Sequence, residues 1–314
     1  MEPIRSWNVE EVRFDRMVPA TIIARRKACN LAYLPVGSLE WHGSHMPFGT
    51  DYMTVTHIAE EAARRFGGVV FPPIYYGDVR YILQECRAEW RQTYVREMEV
   101  PEAYASAFPL QNADGSPGYE CPTQPGDGPM AAAPLPFTYP EQEREFARTI
   151  ASILLSIHLY GFRRILLLPG HGPNPKYCKK AEEIYRENVL RRTALGPPAK
   201  TMTWFYIEAA KEFEPLLKNH WIHADKWEGS ITMAAAPGTV KLDLLPKDRK
   251  TLAPGYLGTP YLTEKAGYNP AYQKIWYSFD ALDPRSGTSE EYGRAQVEGI
   301  VGRFGDVIRG FMTE

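Results

Sequence analysis

Two apolar runs, each cut off by glycine and each followed by histidine or carboxylate, constrain this chain most. The first, residues 31–36 (LAYLPV), stops at Gly37 and Ser38, and Glu40, His42, His45 and Asp51 follow before residue 52. A short, fully apolar run bounded by turn residues reads as a buried strand. In open α/β sheets, ligands bind just beyond the carboxyl ends of the strands. Glu40 and His42 are one residue apart, so on an extended segment they share a side. Asp51 comes back after a turn that contains Pro47 and Gly49. Such a mixed oxygen and nitrogen set suits zinc, manganese or iron better than calcium, which takes oxygen alone. The competing reading is a polar loop with a capping Asp and a surface His, and spacing alone leaves both open.

The second run, Ile165 to Leu168, leads into Gly170-His171-Gly172. Flanking glycines let the backbone turn sharply and aim the imidazole into a cleft. A third cluster, NHWIHADKWEGSITM, holds His220, His223, Asp225 and Glu228. Taken singly, each has a structural alternative: Glu228 can stabilise a helix dipole, and His220 can be a surface residue. Three such clusters at strand ends and loops favour one assembled site.

Between the clusters the pattern alternates. Apolar residues at helical spacing run from Asp51 to Phe66, closed by Gly67-Gly68, and VVFPPIYYG reads as a second strand. Phe146, Ile150, Ile153, Leu154 and Ile157 mark another helix, closed by Gly161, before the strand 165–168. KYCKKAEEIYRENVLRRTAL reads as a helix, KTMTWFYIEAA as a strand, and SITMAAAPG as a helix ended by Pro237-Gly238. This order predicts a three-layer α/β/α domain with a largely parallel sheet. Residues 1–314 read as one domain interrupted at about 79–136 by a Gly- and Pro-rich insertion. Trp90, Tyr94, Phe108 and Tyr119 in that insertion predict an ordered lid or an oligomer-interface element.

A net charge of −2 and a pI near 6.4 point to no nucleic-acid or membrane-surface partner. No apolar run is long enough for a membrane span, and no signal-peptide pattern is present. Four scattered cysteines without a CxxC pair predict reduced thiols and a cytoplasmic setting.

These residues resemble the creatininase (creatinine amidohydrolase) family. LPVGSLEWHGSHMPFGTD is similar to its P-x-G-S-x-E-x-H-G-x-H-x-P-x-x-x-D pattern, GHGPN to its N-G-H-G-G-N, and HADKWEGS to its H-A-G-x-x-E-T-S. DPRSGTSEEYG resembles a further element near the C-terminus. The resemblance implies two divalent metal ions, zinc and/or manganese with iron as a further option. Asp51 would bridge them, Glu40 and His171 would complete one site, and His42 and Glu228 the other. His223 would be the catalytic proton-transfer residue. It further implies a homo-oligomer, often a hexamer.

The sequence departs from the family pattern at Pro169, Pro173, Asp225 and Gly229. Creatininase proper has a Glu near the position of Pro173 that contributes to its more labile metal site. The reading is therefore a metal-dependent hydrolase of a non-peptide C–N bond in a small cyclic or linear amide, a creatininase-like amidohydrolase whose substrate the sequence does not name. The resemblance implies attack by a metal-bridging hydroxide. Alternatives are a lactone or formamide hydrolase on the same site, or a metal-retaining binding protein without turnover. Trp221 and Trp227 flank His223 and are candidates for stacking on a flat substrate. Asp225 is a candidate for holding its cationic or N–H-rich part.

Overall fold

The computed structural model describes residues 11–40, 42–43, 45–77, 139–214, 217, 222–245, 247 and 283–313. The insertion at 79–136, Trp221 and His220 lie outside the described residues.

Side chains that alternate between the two faces of the strands separate the layers. In β1 (Ala32–Val36), Tyr33 joins one apolar cluster, while Ala32, Leu34 and Val36 join the other. β3 (Arg164–Pro169) repeats this, with Leu166 and Leu168 on the first side and Ile165 and Leu167 on the second. Burial on both faces is what a parallel strand between helical layers requires. With β2 (Val69–Val70) and β4 (Lys200–Thr203) they form an all-parallel sheet in the order β2-β1-β3-β4. At the carboxyl edge, Val36 is in register with Pro169.

The helices then divide between the faces. α1 (Pro19–Ala28) has no buried residue. α2 (Thr50–Phe66) runs from β1 toward β2 and packs Val55, Ile58, Ala59 and Ala62 on the Tyr33 side. α3 (Tyr139–Leu159) and α4 (Asn174–Leu190) cover the opposite face with Ile150, Leu154, Ile157, Tyr177 and Ala181. α5 (Tyr206–Phe213), α6 (Lys226–Ala235) and α7 (Glu290–Thr313) complete the Tyr33 side. A large side chain as fully buried as Phe304 or Ile300 contributes about 1.5–3 kcal/mol. The result is the three-layer α/β/α fold expected from the alternation of elements.

α2 leaves β1 on one face, whereas α3 enters β3 on the other, so the strand order reverses between β1 and β3. The crevice outside their carboxyl ends is the place such sheets provide for a ligand. Two glycines allow the close packing around it. A Cβ on Gly170, just after β3, would lie 2.3 Å from the backbone oxygen of Asp51. A Cβ on Gly293 would lie 1.8 Å from that of Ser230, so α7 crosses α6 backbone to backbone.

Two sequence expectations change. In VVFPPIYYG only Val69–Val70 pairs as a strand, with a single further bridge from Ile74 to Val36. Pro72 and Pro73 have no N–H to continue the ladder. The strand expected over 200–210 ends at Thr203, and Tyr206 begins α5. Glu208, Ala209 and Ala210 favour a helix, and Tyr206, Ala209 and Ala210 give it a buried face.

Candidate metal centre

Each element delivers its part of the site for a local reason. Glu40 and His42 lie on the loop leaving β1, which is closed where the Glu40 N–H donates to the Phe48 oxygen at 3.0 Å. Asp51 occupies the first turn of α2 and Glu228 the first turn of α6, where helix dipoles favour carboxylates. His171 follows β3. Asn174, at the start of α4, is buried and donates from Nδ2 to the Val36 and Gly37 oxygens at 3.0 and 3.1 Å. That clamp ties the His171 loop to the end of β1. The GHGPN motif contained this residue without showing its role.

These side chains converge. His171 Nδ1 lies 3.0 Å from Glu40 Oε2 and 3.2 Å from Asp51 Oδ2. His42 Nε2 lies 3.5 Å from Asp51 Oδ1 and 3.5 Å from Glu228 Oε2. Its Nδ1 is 3.0 Å from the backbone oxygen of Glu40, which makes Nδ1 the protonated nitrogen and leaves Nε2 to face the carboxylates. The His223 ring stands 4.4 Å from that of His42, tilted by 31°. Three groups have ligand atoms within 4.8 Å of one another: Glu40, Asp51 and His171; His42, Asp51 and Glu228; and Glu40, His42 and His223. Asp51 is common to the first two.

Charge balance tests whether a metal fits. Among the described residues the buried acidic side chains are Glu40, Asp51, Asp225 and Glu228, and no lysine or arginine is buried with them. Glu40, Asp51 and Glu228 put three negative charges in one dry cluster, which must be neutralised. Without metal the histidines do this by holding protons. Burial opposes protonation of His171, but Glu40 and Asp51 overcome it and raise its pKa to about 10. Burial likewise opposes a charged His42, and Glu228 and Asp51 raise it well above the ordinary value. Asp51 and Glu40 are themselves held low: burial works against their charged forms, and the facing histidines prevail. Divalent cations would take the place of those protons, with both imidazoles neutral. The donor set therefore fits metal.

Asp225 and Trp227 have other work. Asp225 is the N-cap of α6, where Oδ1 accepts the Glu228 N–H at 2.9 Å. Burial first, and then the charge of Glu228, push its carboxyl up to about 7. The cap uses Oδ1 alone, and Oδ2 of this candidate substrate contact is buried without a hydrogen-bond partner among the described residues. Trp227 is fully buried, lies parallel to Tyr206 at 6.1 Å, and donates from Nε1 to Gln296 Oε1 at 2.9 Å. No face is left for a substrate ring, so this expectation is corrected to core packing. Pro173 is the N-cap residue of α4 and offers no side-chain ligand.

With the geometry in place, comparison with known proteins identifies the group. The profile of a family described as creatinine amidohydrolase matches residues 16–84 and 121–308. The chain belongs to the creatininase family. Creatininase relatives include the 3-dehydro-scyllo-inosose hydrolase of Thermotoga maritima, 25% identical over 72% of this chain and 57% of that protein. The creatinine amidohydrolase of Pseudomonas putida is 23% identical over 67% of this chain and 66% of its own length. The matched stretch thus spans less than two thirds of either relative. Among solved structures, a crystal structure of creatinine amidohydrolase aligns with a TM-score of 0.57 and 19% identity over 95% of this chain and 96% of that one. A manganese creatininase aligns with a TM-score of 0.58 and 19% identity over 96% and 98%, respectively. A zinc–zinc form of a creatininase mutant aligns equally well, with a TM-score of 0.58 and 19% identity over 96% of this chain and 98% of that one. At these identities the likeness supports a shared fold.

Proposed function

We propose that this protein is a metal-dependent hydrolase of a non-peptide C–N bond in a small cyclic or linear amide. The observation that carries the reading is the pair of buried triads sharing Asp51, with no lysine or arginine buried beside them among the described residues. Glu40, Asp51 and His171 would hold one divalent cation, and His42, Asp51 and Glu228 the other. Zinc and manganese are the favoured ions, in keeping with the metal forms of the solved creatininases. Such cations acidify a water and polarise a carbonyl.

The chain's own groups supply the rest. Burial, the leading cause, lowers the pKa of His223 and so favours the neutral imidazole, able to accept a proton. It takes one from the attacking water and returns it to the leaving nitrogen. The carbonyl thereby gains a hydroxyl oxygen, and the amine leaves with the transferred proton. Residues tied to the core, such as Asp51 in α2 and Glu228 in α6, keep these groups in register.

A second reading comes from the Thermotoga relative, whose name gives a cyclic polyhydroxy ketone as substrate. A panel of cyclic amides, formamides, lactones and oxidised inositols, run with loaded and chelator-stripped protein, separates the two. Amide turnover that vanishes on stripping supports the proposal. Turnover confined to lactones or ring ketones replaces it. Full metal content with no turnover across the panel would favour the binding-protein alternative. Among the described residues no helix is long and apolar enough to cross a membrane, and Cys29 and Cys178 are free thiols. These features support a cytoplasmic setting, and the family resemblance supports a homo-oligomer.

A further inference from the structure

One buried amide outside the metal centre bonds to both ends of the segment that carries His223. Glu214 is the C-cap of α5 and Trp227 lies in the first turn of α6, with His223, Ala224 and Asp225 between them in the chain. Gln296, buried on α7, reaches both. Its Oε1 accepts the Trp227 indole N–H at 2.9 Å, and its Nε2 donates to Glu214 Oε2 at 3.3 Å. The same carboxylate oxygen accepts the Tyr292 hydroxyl at 2.8 Å.

The chemistry of the two ends selects this side chain. An indole offers only a donor and an ionised carboxylate only acceptors, so the group between them must accept at one end and donate at the other. Glutamine does both. A glutamate there could still accept from Trp227, but it would set one carboxylate against another. Two further contacts hold α6 to α7 around the amide. The Ser289 N–H donates to Ser230 Oγ at 3.1 Å, and the Lys226 ammonium lies 5.4 Å from the centre of the Tyr292 ring.

Between the two ends the backbone is strained. Ala224 is buried with φ 53°, the left-handed region that residues with a Cβ seldom adopt. There the Ala224 N–H donates to Glu228 Oε2 at 2.5 Å, and the adjacent His223 ring stands 4.4 Å from that of His42. Such a conformation persists only where its surroundings hold it. The Asp225 cap holds it from within α6, and Gln296 holds it from outside by fixing where the segment starts and ends. Trp227 directly precedes Glu228, so a turn of α6 that frees the indole also moves the carboxylate.

We propose that Gln296 is a positioning residue: its amide staples Glu214 to Trp227 and so holds the segment that aims His223 and Glu228. This rests on the metal-site reading above. Gln296 touches neither metal nor substrate and acts through Trp227 and the segment. Partners that orient metal ligands commonly govern affinity by about 10–100-fold.

The test is zinc and manganese binding by calorimetry on the full chain, with Gln296→Met, Gln296→Glu, and the exchange Glu214→Gln with Gln296→Glu. Wild type is expected to bind two metals. Gln296→Met, close in shape but without an amide, should lose about 10-fold in affinity at the metal held by His42 and Glu228, with the other unchanged. Gln296→Glu should show the same one-site loss near pH 7. The exchange should recover most of it, because the introduced amide donates to the introduced carboxylate, which still accepts from Trp227. Unchanged affinity in Gln296→Met, equal loss at both metals, or an exchange that recovers nothing would overturn the proposal while leaving the metal site intact. A wild type that binds no metal would instead overturn the metal-site reading, and the role with it. If Gln296→Met does not fold, Gln296→Glu and the exchange carry the comparison. Nitrogen-15 NMR of wild type gives an independent readout: a slowly exchanging Trp227 indole N–H supports the staple, and a rapidly exchanging one contradicts it.

Discussion

The two halves of the candidate centre are built differently. Glu40 and His171 stand at the ends of β1 and β3, strands paired in register over five residues from Ala32 to Val36 and buried on both faces. Asp51 joins them from the first turn of α2, with Gly170 admitting its backbone to close range. His42 and Glu228 meet through a loop and the start of α6, and that start depends on a left-handed Ala224, an Asp225 cap and the crossing of α7 at Gly293. The first half inherits its geometry from the sheet, whereas the second is assembled from distant loops and a strained turn. The first half should therefore hold metal more firmly, and the second should be where affinity is tuned.

The comparison breaks most completely at the residue both halves share. Asp51→Ala should abolish binding of both metals, read by elemental analysis; full metal content in that variant would remove the shared-carboxylate assignment. Next in size, Glu228→Ala should lower the content from roughly two metals per chain to roughly one. Gly170→Ala should disturb the first half instead, since its new Cβ meets the Asp51 backbone. A stability loss of about 1–3 kcal/mol by denaturant titration is expected, with weaker metal retention. A Gly170→Ala protein as stable as wild type would show that the sheet-end packing is looser than described.

Protonation offers a further probe. The raised folded pKa of His171, about 10, means that its contribution to the stability of metal-free protein is complete below the unfolded value near 6.5. That contribution is lost as pH rises through about 10. The melting temperature of chelated protein should fall between pH 7 and 10, while that of loaded protein should hold across the same window. The smallest effect belongs to the cap. Asp225→Ala should cost about 1 kcal/mol and Asp225→Asn much less, since Asn caps nearly as well.

The same contrast explains what the sequence disclosed. β1 and β3 were legible as fully apolar runs bounded by turn residues, and α2 and α3 because their apolar residues recur at helical spacing. The metal-ligand candidates stood out because His and carboxylate sit directly after the buried runs. β4 and α5 were harder, since the apolar stretch from Met202 to Ile207 fits either period, and the break after Thr203 depends on tertiary packing. Trp227 next to a catalytic motif suggested a substrate platform; only the fold shows Tyr206 and Gln296 enclosing it. The left-handed turn at Ala224, where a residue with a Cβ takes a conformation that favours glycine, is something no local pattern encodes.

The most direct measurement is metal content per chain, by elemental analysis, of protein purified without chelator and with zinc and manganese supplied. The binuclear account predicts roughly two metals per chain in wild type and roughly one in Glu228→Ala. Fewer than about 0.2 per chain, with no uptake on adding metal, would contradict it and leave the buried carboxylates balanced by protons alone.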